Sequence, residues 1–117
     1  MISDYRKLEV WKKSILLVQE IYFVTKKFPS DEKFGLVTQM RRAAVSIPSN
    51  IAEGKMRGTD PEFKRFLFIA LGSGAELETQ LEIAKNNKFL SEDIYRMNIE
   101  SLSEVMKMLN SFIKKIS

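Results

Sequence analysis

FKRFLFIALGSGAELETQLEIA, residues 63–84, places Phe63, Leu67, Ala70, Gly74, Leu77, Leu81 and Ala84 at alternating steps of four and three. That spacing returns each residue to one side of an α-helix and excludes a strand, whose side chains repeat every second position. The row runs through Gly72 and Gly74, although each glycine costs a helix about 1 kcal/mol relative to alanine. Close approach of another helix is the expected reason. Just upstream, Thr59-Asp60-Pro61-Glu62 reads as a capping box, with Thr59 as cap, Glu62 reaching back to its NH and Pro61 harmless in the first turn. Residues 66–71 are all apolar, so this helix is hydrophobic nearly all round, and self-association of the chain is expected to help enclose it.

Three further segments share this patterning. Leu8, Trp11, Ile15, Val18 and Tyr22 form one row of a first helix, and Ser14, Leu17, Ile21, Val24 and Phe28 form a second row beside it. The helix is expected to stop at Phe28-Pro29, because a residue before proline is pushed out of the helical region. Ser30 is the expected cap of a second helix, with Asp31 and Glu32 complementing its positive end. Its row is Leu36, Met40, Ala43, Ile47, Asn50 and Gly54. Pro48 lies within this helix and removes the NH that would bond the Ala44 carbonyl; a bend is expected there, with Ser46 and Ser49 helping to satisfy the freed group. Arg57-Gly58 closes the second helix, residues 86–90 turn the chain, and Ser91 caps a fourth helix whose stripe is Tyr95, Asn98, Leu102, Val105, Leu109, Phe112 and Ile116. Four long helices with short connections predict one all-α domain over residues 1–117. Its expected form is an up-down-up-down antiparallel four-helix bundle with a proline-kinked second helix.

Composition narrows the chemistry. Hydrophobic residues at 44% and charged residues at 29% match an ordinary globular chain and argue against disorder. Without Cys or His there is no disulfide, no thiolate nucleophile, no Ser-His-Asp triad and no Cys- or His-ligated metal site. No cofactor, no metal and no enzymatic activity are expected. Residues 1–7 lack the basic, apolar and cleavage regions of a signal peptide, and no apolar run approaches the ~20 residues needed to span a bilayer. A cytoplasmic protein with no membrane partner is the expectation.

The charge is uneven. Through Gly58 the chain carries eleven basic and six acidic side chains, beyond it eight and nine, so the whole net charge of +4 resides in the first half. Such asymmetry attracts phosphate, since contacts with Lys and Arg release condensed counterions. Lys12, Lys13, Arg41, Arg42, Lys55 and Arg57 are the candidate nucleic-acid-binding set, although solvated helix faces account for most surface lysines and arginines. Repeating one basic face around a ring would multiply the field. With no aromatic RNA-binding strand, zinc finger or phosphate loop, contact is expected to be backbone-directed and weakly sequence-specific.

Ser46, Asn50, Glu53, Ser73, Glu76 and Gln80 lie in or beside the apolar rows. They are read as a structural polar network that locks helix register, with Arg41 and Arg42 as further partners. Glu53 and Glu76 are also the one conceivable acid–base pair, but no nucleophile or phosphate cradle accompanies them. Of the aromatic cluster on the third helix, Phe63 is read as core, while Phe66 and Phe68 mark a subunit contact in preference to a base-stacking platform.

Two segments carry a resemblance: FGLVTQMRRAAVSIPSNIAEG, residues 34–54, and IALGSGAELETQL, residues 69–81. The arginine pair Arg41-Arg42, Ser46-Ile47-x-x-Asn50-Ile51-Ala52-Glu53-Gly54 and Gly72-Ser73-x-x-Glu76-Leu77-Glu78 resemble the bacterial four-helix-bundle proteins encoded by intervening sequences of 23S rRNA genes. That family is similar to the accessory variability protein of diversity-generating retroelements. The resemblance implies a homopentameric ring of bundles with a basic surface for RNA or DNA, and no catalytic residues. Through the retroelement relative it also implies an alternative role as a scaffold that recruits a protein such as a reverse transcriptase.

Overall fold

The computed structural model describes residues 4–116; Met1–Ser3 and Ser117, which the sequence reading places in the same domain, lie outside it. A 3-10 turn, Tyr5–Lys7, leads into α1, Glu9–Thr25. A second 3-10 turn, Ser30–Glu32, precedes α2, Leu36–Met56; α3 spans Asp60–Asn86 and α4 spans Glu92–Lys115. Each helix packs on the next in sequence and α4 closes back on α1. Neighbours run antiparallel: Gly54 meets Phe66 while Ser46 meets Ser73, and Gly74 meets Met106 while Glu82 meets Tyr95. The result is the up-down four-helix bundle that the periodicity predicts, 45 Å long and about 20 Å across.

Of the two rows on α1, the second is the core row: Ser14, Leu17 and Ile21 are buried together with Val10 and Thr25. Trp11, Ile15 and Val18 sit half-buried on the flank towards α2, and Tyr22 is exposed. Both rows have helical spacing, so only the rotation of α1 against the rest selects between them.

The α1–α2 connection departs from expectation. The helix ends at Thr25, three residues before Phe28, where main-chain bonds from Lys27 to Val24 and from Phe28 to Thr25 tighten the chain. Ser30 caps no α-helix; it opens the 3-10 turn, and α2 starts at Leu36 after Gly35. The Glu32 carboxylate accepts from the Leu36 NH at 3.4 Å, so the acidic side chain does what the serine was expected to do. α2 continues through Pro48, which is buried, while the Ser46 hydroxyl bonds Ser73 and Asn50, not the Ala44 carbonyl.

The remaining boundaries follow local chemistry. Gly58, at φ +82°, ends α2, and the Thr59 hydroxyl accepts from the Glu62 NH at 3.4 Å. The reciprocal arm of the box is not made, because the Glu62 carboxylate binds Arg65 at 3.0 Å. α3 closes with Lys88 in the left-handed region at φ 62°, its NH bonding the Lys85 carbonyl while that of Phe89 bonds Ala84. Ser91 caps α4 through the Ile94 NH at 3.1 Å.

Candidate nucleic-acid interface

The six cations expected to share one surface fall towards two ends of the bundle. Arg41 and Arg42 lie near the start of α2, whereas Lys55 follows Arg41 by fourteen residues, about 21 Å along the helix axis. Lys12, Lys13 and Arg57 accompany Lys55 in the far half, and all three are engaged. Lys12 pairs with Glu9 at 3.5 Å, Lys13 with Glu104 of α4 at 2.6 Å, and Arg57 with Glu53 at 2.9 Å and Glu62 at 3.8 Å. The Glu104 carboxylate raises the Lys13 pKa above its ordinary value. Lys55 lies 5.3 Å from the Phe63 ring centroid. Three of the four candidate cations at this end therefore already have carboxylate partners before any phosphate arrives.

Arg41 has a structural task as well. Its Nε donates to the Thr25 hydroxyl at 3.0 Å, its Nη2 to the Tyr22 carbonyl at 3.3 Å, and the guanidinium lies 4.5 Å from the Tyr22 ring centroid. Thr25 passes the bond on, donating to the Ile21 carbonyl at 2.7 Å. A cation thus closes the last turn of α1, where carbonyls lack helical partners and the dipole is negative. Arg42 is exposed beside it, in a shallow groove lined by Tyr22, Thr38, Val45 and Ser46.

Around these arginines the structure gathers cations outside the candidate set. Lys26, Lys27, Lys33 and Arg42 are exposed, and with half-buried Arg41 they form no ion pair among the described residues. Residues 22–42 hold these five basic groups against Asp31 and Glu32, a net +3 within a chain of net +4. Three exposed rings are interleaved with them: Tyr22, Phe23 and Phe34. Lys27 lies 5.5 Å from the Phe23 centroid and Lys33 lies 5.7 Å from that of Phe34, both within cation–π range. The signal was present in the sequence as lysines and aromatic residues mixed within 22–34, namely Tyr22, Phe23, Lys26, Lys27, Phe28, Lys33 and Phe34, a stretch whose Phe28-Pro29 step also marks a helix end.

The expected polar network is smaller than six residues. Ser46 and Ser73 share a 2.8 Å hydroxyl–hydroxyl bond across α2 and α3, and Asn50 donates to the Ser46 carbonyl and hydroxyl at 2.8 and 2.9 Å. Glu53 is exposed and pairs with Arg57, Glu76 is exposed, and Gln80 is buried, its Oε1 with no hydrogen-bond partner among the described residues. Neither arginine joins the network, and two exposed carboxylates do not make an acid–base pair of contrasting environments. Phe63 is core, edge-on to Phe112 at 5.2 Å; Phe66 is also buried, against Gly54, leaving only Phe68 of the expected subunit-contact pair exposed. Among the described residues no group of three or more acidic side chains could hold a metal ion, and no helix is long and apolar enough to cross a membrane.

Fold and surface together define an all-helical bundle with an electropositive, aromatic-edged end. The chain belongs to the 23S rRNA-intervening sequence protein family, whose family model matches residues 6–111. It is similar to a crystal structure, at 1.70 Å resolution, of a protein of unknown function from the S23 ribosomal protein family of Bacteroides thetaiotaomicron VPI-5482. The two share 28% identity at a TM-score of 0.84, covering 91% of this chain and 99% of that one. No curated protein matches the sequence.

Proposed function

We propose that this protein is a non-enzymatic, homo-oligomeric, cytoplasmic bundle that binds the phosphate backbone of RNA or DNA through the end of the molecule formed by residues 22–42. The observation that carries this reading is the set of five cations there without ion-pair partners among the described residues. An unpaired cation exchanges hydration and counterions for phosphate without first giving up a carboxylate. Self-association, in the pentamer implied by the family resemblance, is supported by the exposed Phe68, Ile69 and Ile83 on α3. A ring would repeat the basic end around its axis and strengthen its field.

The test is a salt titration of binding to RNA and duplex DNA, with mass measured in parallel by light scattering. Affinity is expected to fall steeply with salt, Lys33→Ala and Arg42→Ala each to lower the log–log slope by about 1, and Lys12→Ala to leave it unchanged. A pentamer of the 13.5 kDa chain has a mass of about 67 kDa. A mass of one chain would remove the ring, and flat salt dependence would remove the phosphate reading.

One observation favours a second reading, a scaffold that recruits a protein such as a reverse transcriptase. Between α1 and α4 lies a groove of about 610 Å³ edged by exposed Leu16, Phe23 and Met97. Capture of a partner that survives nuclease treatment and is lost in Leu16→Asp would support it.

A further inference from the structure

Phe34 has no role in holding the fold together. It is 89% exposed, the most exposed large apolar side chain on the described surface, yet the loop beneath it is braced. The Thr38 hydroxyl donates to the Lys33 carbonyl at 2.7 Å, the Glu32 carboxylate receives the Leu36 NH, and buried Phe28 packs on Phe89 at 5.6 Å. A rigid loop therefore holds a phenyl ring in water with a lysine over it. At the same end of the bundle, in the last turn of α1, Tyr22 is 40% and Phe23 62% exposed, each again with a cation over the ring.

Backbone contact alone needs only the cations. A duplex keeps its bases stacked on one another, so exposed rings beside the phosphate contacts gain nothing from it. An unpaired strand offers both the phosphates and the π-faces of its bases. Rings with a cation on one side and solvent on the other suit that ligand, since base–aromatic stacking is tolerant of sequence and the cations follow the backbone.

We infer that the end of the bundle formed by residues 22–42 binds unpaired nucleic-acid strands, with Phe34, Tyr22 and Phe23 stacking bases while Lys33, Lys27 and Arg42 contact the phosphates. This rests on the nucleic-acid reading above and narrows its ligand from nucleic acid in general to single strands. Both oligo-U and oligo-dT carry the required chemistry, because neither stacking nor phosphate contact requires the 2′-hydroxyl.

The test compares oligo-U, oligo-dT and a duplex of equal length at low salt, using the full chain. Both single strands are expected to bind at least about tenfold more tightly than the duplex, and Phe34→Ala and Phe34→Leu each to weaken strand binding about 5- to 100-fold with duplex binding unmoved. Phe34→Trp should retain binding and give fluorescence that is quenched by the strand. Because Phe34 is almost wholly exposed, these variants keep the fold, which circular dichroism checks. Equal affinity for strand and duplex, with Phe34→Leu silent and Lys33→Ala and Arg42→Ala weakening both, overturns stacking and leaves backbone binding standing. Binding to none of the three overturns both readings. Loss in Phe34→Ala but not in Phe34→Leu also overturns stacking, and identifies an apolar contact such as a protein partner would make.

Discussion

At Gly54 a single methyl group would decide how closely two helices approach. A Cβ there would stand 2.5 Å from the Phe66 Cβ and 3.2 Å from the Phe63 ring, so α2 and α3 are in contact because residue 54 has no side chain. Gly74 is the milder case, its Cβ position 3.1 Å from the flexible Met106 side chain, and around that of Gly72 nothing among the described residues lies within 4 Å. Within one bundle, close approach therefore accounts for Gly74 but not for Gly72. The two extremes predict opposite signs in urea or thermal unfolding. Gly54→Ala is expected to destabilise by about 1–3 kcal/mol through overpacking, and Gly72→Ala to stabilise by about 0.5–1 kcal/mol through helix propensity. All three glycines look alike in the sequence, each lying inside a helix and within an apolar pattern. What separates them is the direction each faces once the helices have docked.

Among the elements, the α1–α2 joint shows how adjacent residues acquire different tasks. Arg41 bonds Thr25 and the Tyr22 carbonyl, while Arg42, one position on and turned by about 100°, has no ion pair among the described residues. Arg41→Ala is expected to cost about 1–2 kcal/mol in chemical unfolding, and Arg42→Ala to stay within about 0.5 kcal/mol. Arg42→Ala is accordingly the cleaner probe of phosphate binding, and a double replacement would mix binding with stability. On α3 the same logic of rotation selects the residues that meet α2. Phe66, Ser73 and Gln80 recur every seventh position and are all buried, which is why Ser73 joins Ser46 while Glu76, on another side of the same helix, remains in water.

For the molecule as a whole, the lack of His and Cys leaves no side chain with an ordinary pKa between about 5 and 9. The Asp4, Glu62 and Glu82 carboxyls are held below their usual range by hydrogen bonds from Arg6, Arg65 and the Tyr95 hydroxyl respectively. Their unfolded forms bind protons first, so the stability they confer is present above about pH 4 and is lost as pH falls through and below that value. Lys13 and Tyr95 are raised by their carboxylate partners Glu104 and Glu82, so their share is complete below about pH 10 and is lost as pH rises past it. Melting temperatures are expected to be level from about pH 5.5 to 9 and to fall on either side. A transition near pH 6.5 in the melting profile would contradict this account. Nucleic-acid affinity should share that plateau while responding strongly to salt.

Helix number, order and type were legible because periodicity, caps and breakers act over a few residues of chain: the 4-3 row of residues 63–84, the Thr59 and Ser91 caps and the Gly58 stop all stand as read. The charge asymmetry was equally legible, being a count. The candidate site was legible only in Arg41 and Arg42. A line of sequence does not show that Lys12, Lys13 and Arg57 meet carboxylates, or that Lys26, Lys27 and Lys33, beside Phe23 and Phe34, form no such pairs among the described residues. Those facts depend on the rotation of each helix about its axis and on distances between residues far apart in the chain, which only packing of the four helices against one another determines.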